Sequence, residues 1–540
     1  MTHDVVVLGS GAAGLTSALS AAVEGARVLL LEKAELLGGT TALSGGTLWV
    51  PANQPAKELG VEDSPQQGLD YLASLSHGMI LPELAEALVH GGPEMVDFVH
   101  AHSDLRFRLV EGYPDYHPER PGGLPGGGRS IEVDLVCWAG IEEWEDRVSG
   151  VPSRLLIREM PLGGGTGVLP PEVVAQREED RLEGLGRGLV AGLLKACLQR
   201  GVEVRTGAAG RRLVLDGGRV TGIELESGEV VATPAVVLAS GGFEYDAALV
   251  RDFLRGPISR PLGAPTNTGD GLRMAMRAGA RLGNMREAWW APVVPFPGQR
   301  RDGADNALLA SRERALPGSM MVNSAGRRFA NEAANYNAFG GAYHFLDASR
   351  FTYPNLPSHM IFDQSVLDRF GMFGGPPGAP APDWVVRADT VAGLAEALGL
   401  PVEAVEASVA EFNDHARAGV DPDFGRGESA FDRFPGGRTT GDPASPHSTL
   451  GPVETAPFYA VEVQCSLLGT KGGPRTDGRG RVLDVDGAPI GGLYAAGNVM
   501  ASPTGMVYGG AGATLAVACV FGMHAGRAAV RDHTDTKADA

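Results

Sequence analysis

The chain opens on DVVVLGSGAAG, from Asp4 to Gly14, and follows it with the apolar run RVLLLE ending at Glu32. An apolar tetrad, a glycine turn, a stretch of small residues and a second apolar run closed by a carboxylate constrain the fold more than any other feature. They predict a buried strand, a helix and a parallel second strand. Each glycine has a physical reason: Gly9 permits the tight turn, Gly11 lets backbone approach a pyrophosphate, and Gly14 lets the helix pack closely on the strand. The helix N-terminus, with Ala12 and Ala13, then presents its amides to phosphate charge. Glu32, with Lys33 beside it, stands where a ribose is gripped. The expected ligand is a dinucleotide.

A second loop of glycines and hydroxyls comes directly afterwards, with Gly39, Thr40 and Thr41 and then Ser44, Gly45 and Gly46. An NAD enzyme has no need of it, whereas a longer cofactor would be wrapped further by these amides and hydroxyls. Three later phrases repeat the logic. AVVLASGGF is a buried strand running into Gly241 and Gly242, TNTGDG supplies Asn267 and Asp270 ahead of a helix, and GLYAAGN ends a strand at Gly497 with Asn498 placed to bond a polyol. Ala513 and Leu515, opening the last apolar stretch, complete the expected cofactor set. The expected cofactor is a longer dinucleotide with a flavin end, FAD.

At 540 residues the chain exceeds a single core, so two domains are expected. Four dispersed cysteines form no CxxC pair and read as buried apolar residues in a reducing compartment. No basic, apolar leader precedes Asp4, so a cytoplasmic location is expected, with loose membrane association through an apolar pocket mouth as a variant. No apolar run approaches the roughly 20 residues that span a bilayer; Ala511 to Met523 reads as a core helix. A net charge of −19 argues against nucleic acid as a partner. His100 and His102 lack a third ligand, so no metal is expected, and IEEWED, from Ile141 to Asp146, reads as a solvated face.

After an irregular stretch, a leucine stripe from Leu185 to Leu198 and the strand VEVRT extend the first sheet. Three short strands between Arg211 and Thr233 then form a β-meander. The expected class is α/β: a Rossmann-type FAD-binding domain with a β-meander, in segments 1–280 and 457–540, and an inserted α+β substrate domain over 281–456.

This arrangement resembles the flavoprotein family that includes fumarate reductases, succinate dehydrogenase flavoprotein subunits and the 3-ketosteroid dehydrogenases, over nearly the whole chain. The resemblance implies FAD extended along the first domain, with its isoalloxazine at the interface to the second. Binding is expected to be non-covalent, because the Gly39 to Gly46 loop lacks the histidine of the covalent members. Fumarate-type members carry an arginine after the phrase that here reads GRRFANE, and another in the C-terminal loop that here reads GMVYGGAGATL. This chain has Tyr336 at the first place and no arginine in the second. A buried dicarboxylate without cationic partners is untenable.

The phrases around Tyr116 (GYPDYHPERPGG), Tyr336 (NEAANY) and Tyr508 (VYGGAG), with TKGGPRTD and FNDHARAGVDPDFGRG, resemble those of the 3-ketosteroid Δ1-dehydrogenases. The resemblance implies a site of three tyrosines and one glycine amide. The Tyr508 hydroxyl and the Gly512 N–H would hold the ketone oxygen as enolate charge develops, near a helix N-terminus that favours negative charge. Tyr336 would take the C2 proton. Since a free phenol has a pKa of about 10, Tyr116 is expected to stabilise its phenolate, while flavin accepts hydride from C1. Tyr113, Trp289 and Trp290 are expected walls for an apolar steroid, and an external acceptor such as a quinone would reoxidise the flavin. Three positions depart from the pattern. His117 stands for a tyrosine, Asn335 for a proline, and Gly509 for a proline whose fixed φ would stiffen the loop. The alternatives are an enone or enoate reductase, a Δ4-steroid dehydrogenase of the same fold, and a flavin carrier without chemistry.

Overall fold

Strand Val5–Leu8 is buried along its length because it has a parallel neighbour on each side, Val28–Leu31 and Val236–Leu238. Such a strand must be apolar on both faces, which is why it reads as an unbroken VVVL. The computed structural model of the chain describes residues 3–165, 167–301 and 303–538. The first sheet has six strands in the order Arg481–Leu483, Pro489–Ala495, Val236–Leu238, Val5–Leu8, Val28–Leu31 and Glu203–Arg205. All pairs are parallel except the first. A strand from residues 489–495 thus lies two places from one at residues 5–8, so the two ends of the chain build one domain.

Gly9 has φ +106°, and a Cβ there would lie 2.4 Å from the Ala239 carbonyl oxygen. A Cβ on Gly14 would lie 1.8 Å from the Gly9 oxygen. The turn at Gly9 and the packing of the first helix, Ala12–Val23, at Gly14 therefore have no room for a side chain. Gly14→Ala is expected to cost about 1–3 kcal/mol of stability by overpacking, read as a lowered melting temperature with reduced flavin content. The last helix, Ala513–Ala538, packs on this first one through glycines: a Cβ on Gly522 would meet the Ala13 oxygen at 2.7 Å. Its segment Ala513–His533 is long and apolar enough to cross a bilayer, contrary to the sequence expectation, yet 72% of it is buried inside the protein.

The meander is antiparallel, in the order Val230–Ala232, Arg219–Leu225 and Gly210–Asp216. A second six-stranded sheet, antiparallel in its pairings, contains Ala288–Arg301, Ala304–Leu309, Ser319–Val322, Ser358–Asp363 and Phe458–Thr470, with Val386–Ala388 also on the last of these. Helices Val391–Leu398 and Val402–Ala418 bury Leu394, Val405, Val409 and Phe412 against Met320, Val322 and Ile361. Phe458–Thr470 is the middle strand here, so the expected boundary at residue 456 is one strand too early. The fold is α/β, a Rossmann-type sheet with a β-meander and an inserted α+β unit.

Candidate active site

One cavity of about 430 Å³ is lined both by the Rossmann turn and by the aromatic residues Tyr113, Tyr116, Tyr336 and Tyr508. Gly9, Gly11, Ala12, Ala13, Glu32, Lys33, Gly39, Thr40, Thr41, Ser44, Gly45, Gly46, Gly241, Asn267, Asp270, Gly497, Asn498 and Leu515 all line it. Glu32 is oriented by Ser10, whose N–H and hydroxyl donate to Oε2 at 3.0 and 2.6 Å. Lys33 donates from Nζ to Thr268 and Asp270 at 2.6 and 2.7 Å, and Thr41 accepts from the Ala12 N–H at 2.9 Å. Amides at a helix start, a carboxylate at a strand end, small hydroxyls and an asparagine suit a pyrophosphate, a ribose and a polyol. Three of the expected cofactor residues do not line the cavity. Gly14 lies behind the turn, Gly242 is wedged against Glu244 and Thr470, and Ala513 is buried in the apolar cluster around the tyrosines.

Tyr116, Tyr336 and Tyr508 come together at the other end, with Gly512 and Tyr113 beside them. Their ring centroids are 5.1 Å apart for Tyr116 and Tyr508, and 5.5 Å for each of the other two pairs, all edge to face. Three loops bring them: one before strand Ser130–Val133, one after Ser319–Val322, and one leading into the last helix. Thr514 donates to the Tyr508 hydroxyl at 3.3 Å. Burial pushes all four phenols up. For Tyr336 the Tyr116 hydroxyl opposes this, and for Tyr508 hydrogen bonding from Thr514, Tyr336 and the Gly512 amide does.

The two expected tryptophan walls separate. Successive side chains on a strand face opposite ways, so Trp289 packs on Tyr508 at 4.7 Å while Trp290 points into the core of the inserted unit against His344. Neither lines the cavity. Trp289 instead backs Tyr508: its Nε1 donates to Asn498 at 3.1 Å, and Lys471 Nζ lies 3.8 Å from its ring and donates to the Val507 oxygen at 2.6 Å. Burial holds that amine well below its ordinary value.

A protein-family profile described as FAD binding domain matches residues 4–515. The chain belongs to that family. It is a flavin-dependent oxidoreductase acting on CH–CH groups. It is 44% identical to the 4-oxocyclohexanecarboxylate 2-dehydrogenase of Sinomonas cyclohexanicum, over 97% of this chain and 92% of that protein. It is 39% identical to the 3-oxosteroid 1-dehydrogenase of Mycobacterium tuberculosis, over 96% of each. Among solved structures, the 3-ketosteroid Δ1-dehydrogenase from Sterolibacterium denitrificans in complex with 1,4-androstadiene-3,17-dione matches with a TM-score of 0.88 and 32% identity, covering 98% of this chain and 99% of that one.

Below the tyrosines the flavoprotein has a buried charge network that sequence reading missed. Arg129, 1% exposed, donates to Asp63 at 2.7 Å and Asp115 at 2.8 Å, and Trp49 donates to Asp115 at 2.7 Å. Burial raises Asp115 to about 6, with Arg129 opposing. Thr514 was also missed, although it lies between two residues that were expected at the site. His117 and Asn335, the departures from the family phrases, meet each other at 3.1 Å. The Gly509 carbonyl accepts from the Tyr116 N–H at 3.0 Å and from the Tyr71 hydroxyl at 2.7 Å.

Proposed function

We propose that this flavoprotein desaturates a cyclic ketone next to its carbonyl, with 1,2-desaturation of a 3-ketosteroid as the first reading. The observation that carries it is the convergence of three phenols on one cavity that also reaches the dinucleotide turn. The Tyr508 hydroxyl and the Gly512 N–H are donors for the ketone oxygen, so that negative charge arising there meets fixed dipoles. Tyr336, as phenolate, takes the proton from the α carbon, leaving that electron pair in the enolate. Tyr116 lowers the cost of the phenolate by hydrogen bonding to it. FAD, when bound, supplies the two-electron acceptor for the hydride that leaves the β carbon. Leu262, Leu308 and Leu309 give the rest of the substrate an apolar wall.

A second reading takes a monocyclic ketone carrying a carboxylate, the chemistry in the name of the Sinomonas relative. Arg301 favours it. It lines the same cavity, its Nη2 donates to the Leu262 oxygen at 2.9 Å, and it forms no ion pair among the described residues. Anaerobic bleaching of the bound flavin separates the readings. Bleaching by 4-androstene-3,17-dione but not by 4-oxocyclohexanecarboxylate supports the steroid, and the reverse result supports the carboxylate. If neither ketone bleaches the flavin while an enone rapidly reoxidises chemically reduced protein, desaturation is overturned in favour of an enone reductase.

A further inference from the structure

Tyr71 lies on helix Pro65–Leu75, remote in sequence from all three cavity tyrosines, and is wholly buried. Its hydroxyl does two things at once. It donates to the Gly509 carbonyl at 2.7 Å and accepts from the His117 N–H at 3.0 Å. The same Gly509 carbonyl accepts from the Tyr116 N–H at 3.0 Å. One hydroxyl and one carbonyl therefore tie the residue after Tyr116 to the residue after Tyr508, and those two rings stand 5.1 Å apart.

From this geometry we infer that Tyr71 is a positioning residue, its hydroxyl setting the separation of Tyr116 and Tyr508 without touching substrate. The inference rests on the role given to those tyrosines under the proposed function.

The surroundings make the hydroxyl the adjustable joint. Arg129 lies 5.4 Å from the Tyr71 ring and 5.7 Å from Trp49, locked by Asp63 and Asp115. Gly510 is seated on Trp49, where a Cβ would come within 2.3 Å of the indole. Floor and ring are thus fixed by packing, while the two loops above have separate origins in the chain. Removing the hydroxyl leaves the His117 N–H without its acceptor and the Gly509 carbonyl with one donor instead of two. Burial, with Asp115 adding to it, holds the Tyr71 phenol well above its ordinary value, so it remains a donor throughout the assay range.

Tyr71→Phe keeps the ring and deletes both bonds. The expected result is a kcat about 10- to 100-fold lower, as for a sub-ångström to 1 Å misplacement of reacting groups, with ketone KM and flavin content close to wild type. A purely structural role would not move the affinity for 4-cyanophenol. As phenolate this ligand resembles the enolate, and its binding is read from perturbation of the flavin absorption band. It should weaken in parallel with kcat. Installing 4-aminophenylalanine at position 71 restores a donor for the Gly509 carbonyl and should recover most of the loss. Wild-type kcat in Tyr71→Phe overturns the inference, as does a loss of melting temperature and kcat with unchanged 4-cyanophenol affinity. A wild-type flavin that no ketone bleaches overturns the reaction instead, and the 4-cyanophenol comparison still decides the positioning role.

Discussion

Tyr336→Phe is expected to leave the purified protein yellow while lowering ketone turnover about a thousandfold, within the range a positioned general base contributes. The ring would stay in place, held edge to face by Tyr116 and Tyr508, so only the proton acceptor is lost. Retained turnover would remove Tyr336 from the base role. The pH dependence supplies an independent check. Burial pushes the Tyr336 phenol well above its ordinary value, with Tyr508 adding to the rise and the Tyr116 hydroxyl opposing it. Only the phenolate accepts a proton, and below the pKa its fraction grows tenfold per pH unit. The kcat/KM should therefore climb with pH across the neutral and alkaline range. In Tyr116→Phe the opposing hydrogen bond is gone, so the phenol rises further and the ascending limb must move to higher pH. A limb that stays still in that variant assigns it to another group.

The sequence made the Rossmann unit legible because local chemistry dictates it: VVVL can only be a doubly covered strand, and Gly9 and Gly14 have no room for a Cβ. The meander was equally legible from its glycine turns. FYAVEVQCSLLGT forms a strand whose own residues do not say which sheet it joins, and its pairing with Ala288–Arg301 and Ser358–Asp363 moved the domain boundary. Trp289 and Trp290 were grouped by type, whereas the pleat sends them to opposite faces. Tyr71, Asp63 and Arg129 were invisible for a different reason. Their bonds join residues 66 and 438 positions apart, and a buried ion network leaves no periodic trace in the residues that form it.

Tyr508→Phe is expected to lower kcat about 100- to 1000-fold, the effect of removing one oxyanion donor. The ring is anchored independently of its hydroxyl, since Trp289 packs on it at 4.7 Å and Lys471 fixes the preceding carbonyl. The substitution thus deletes a donor without opening the wall. A donor that matters mainly as negative charge develops is worth more in the transition state than in the bound ketone, so kcat and kcat/KM should fall together while KM changes little. The Gly512 amide would remain, which is why turnover should not vanish. If KM rises with kcat unchanged, Tyr508 holds ketone and enolate equally, and the developing charge must be met by the Gly512 amide alone.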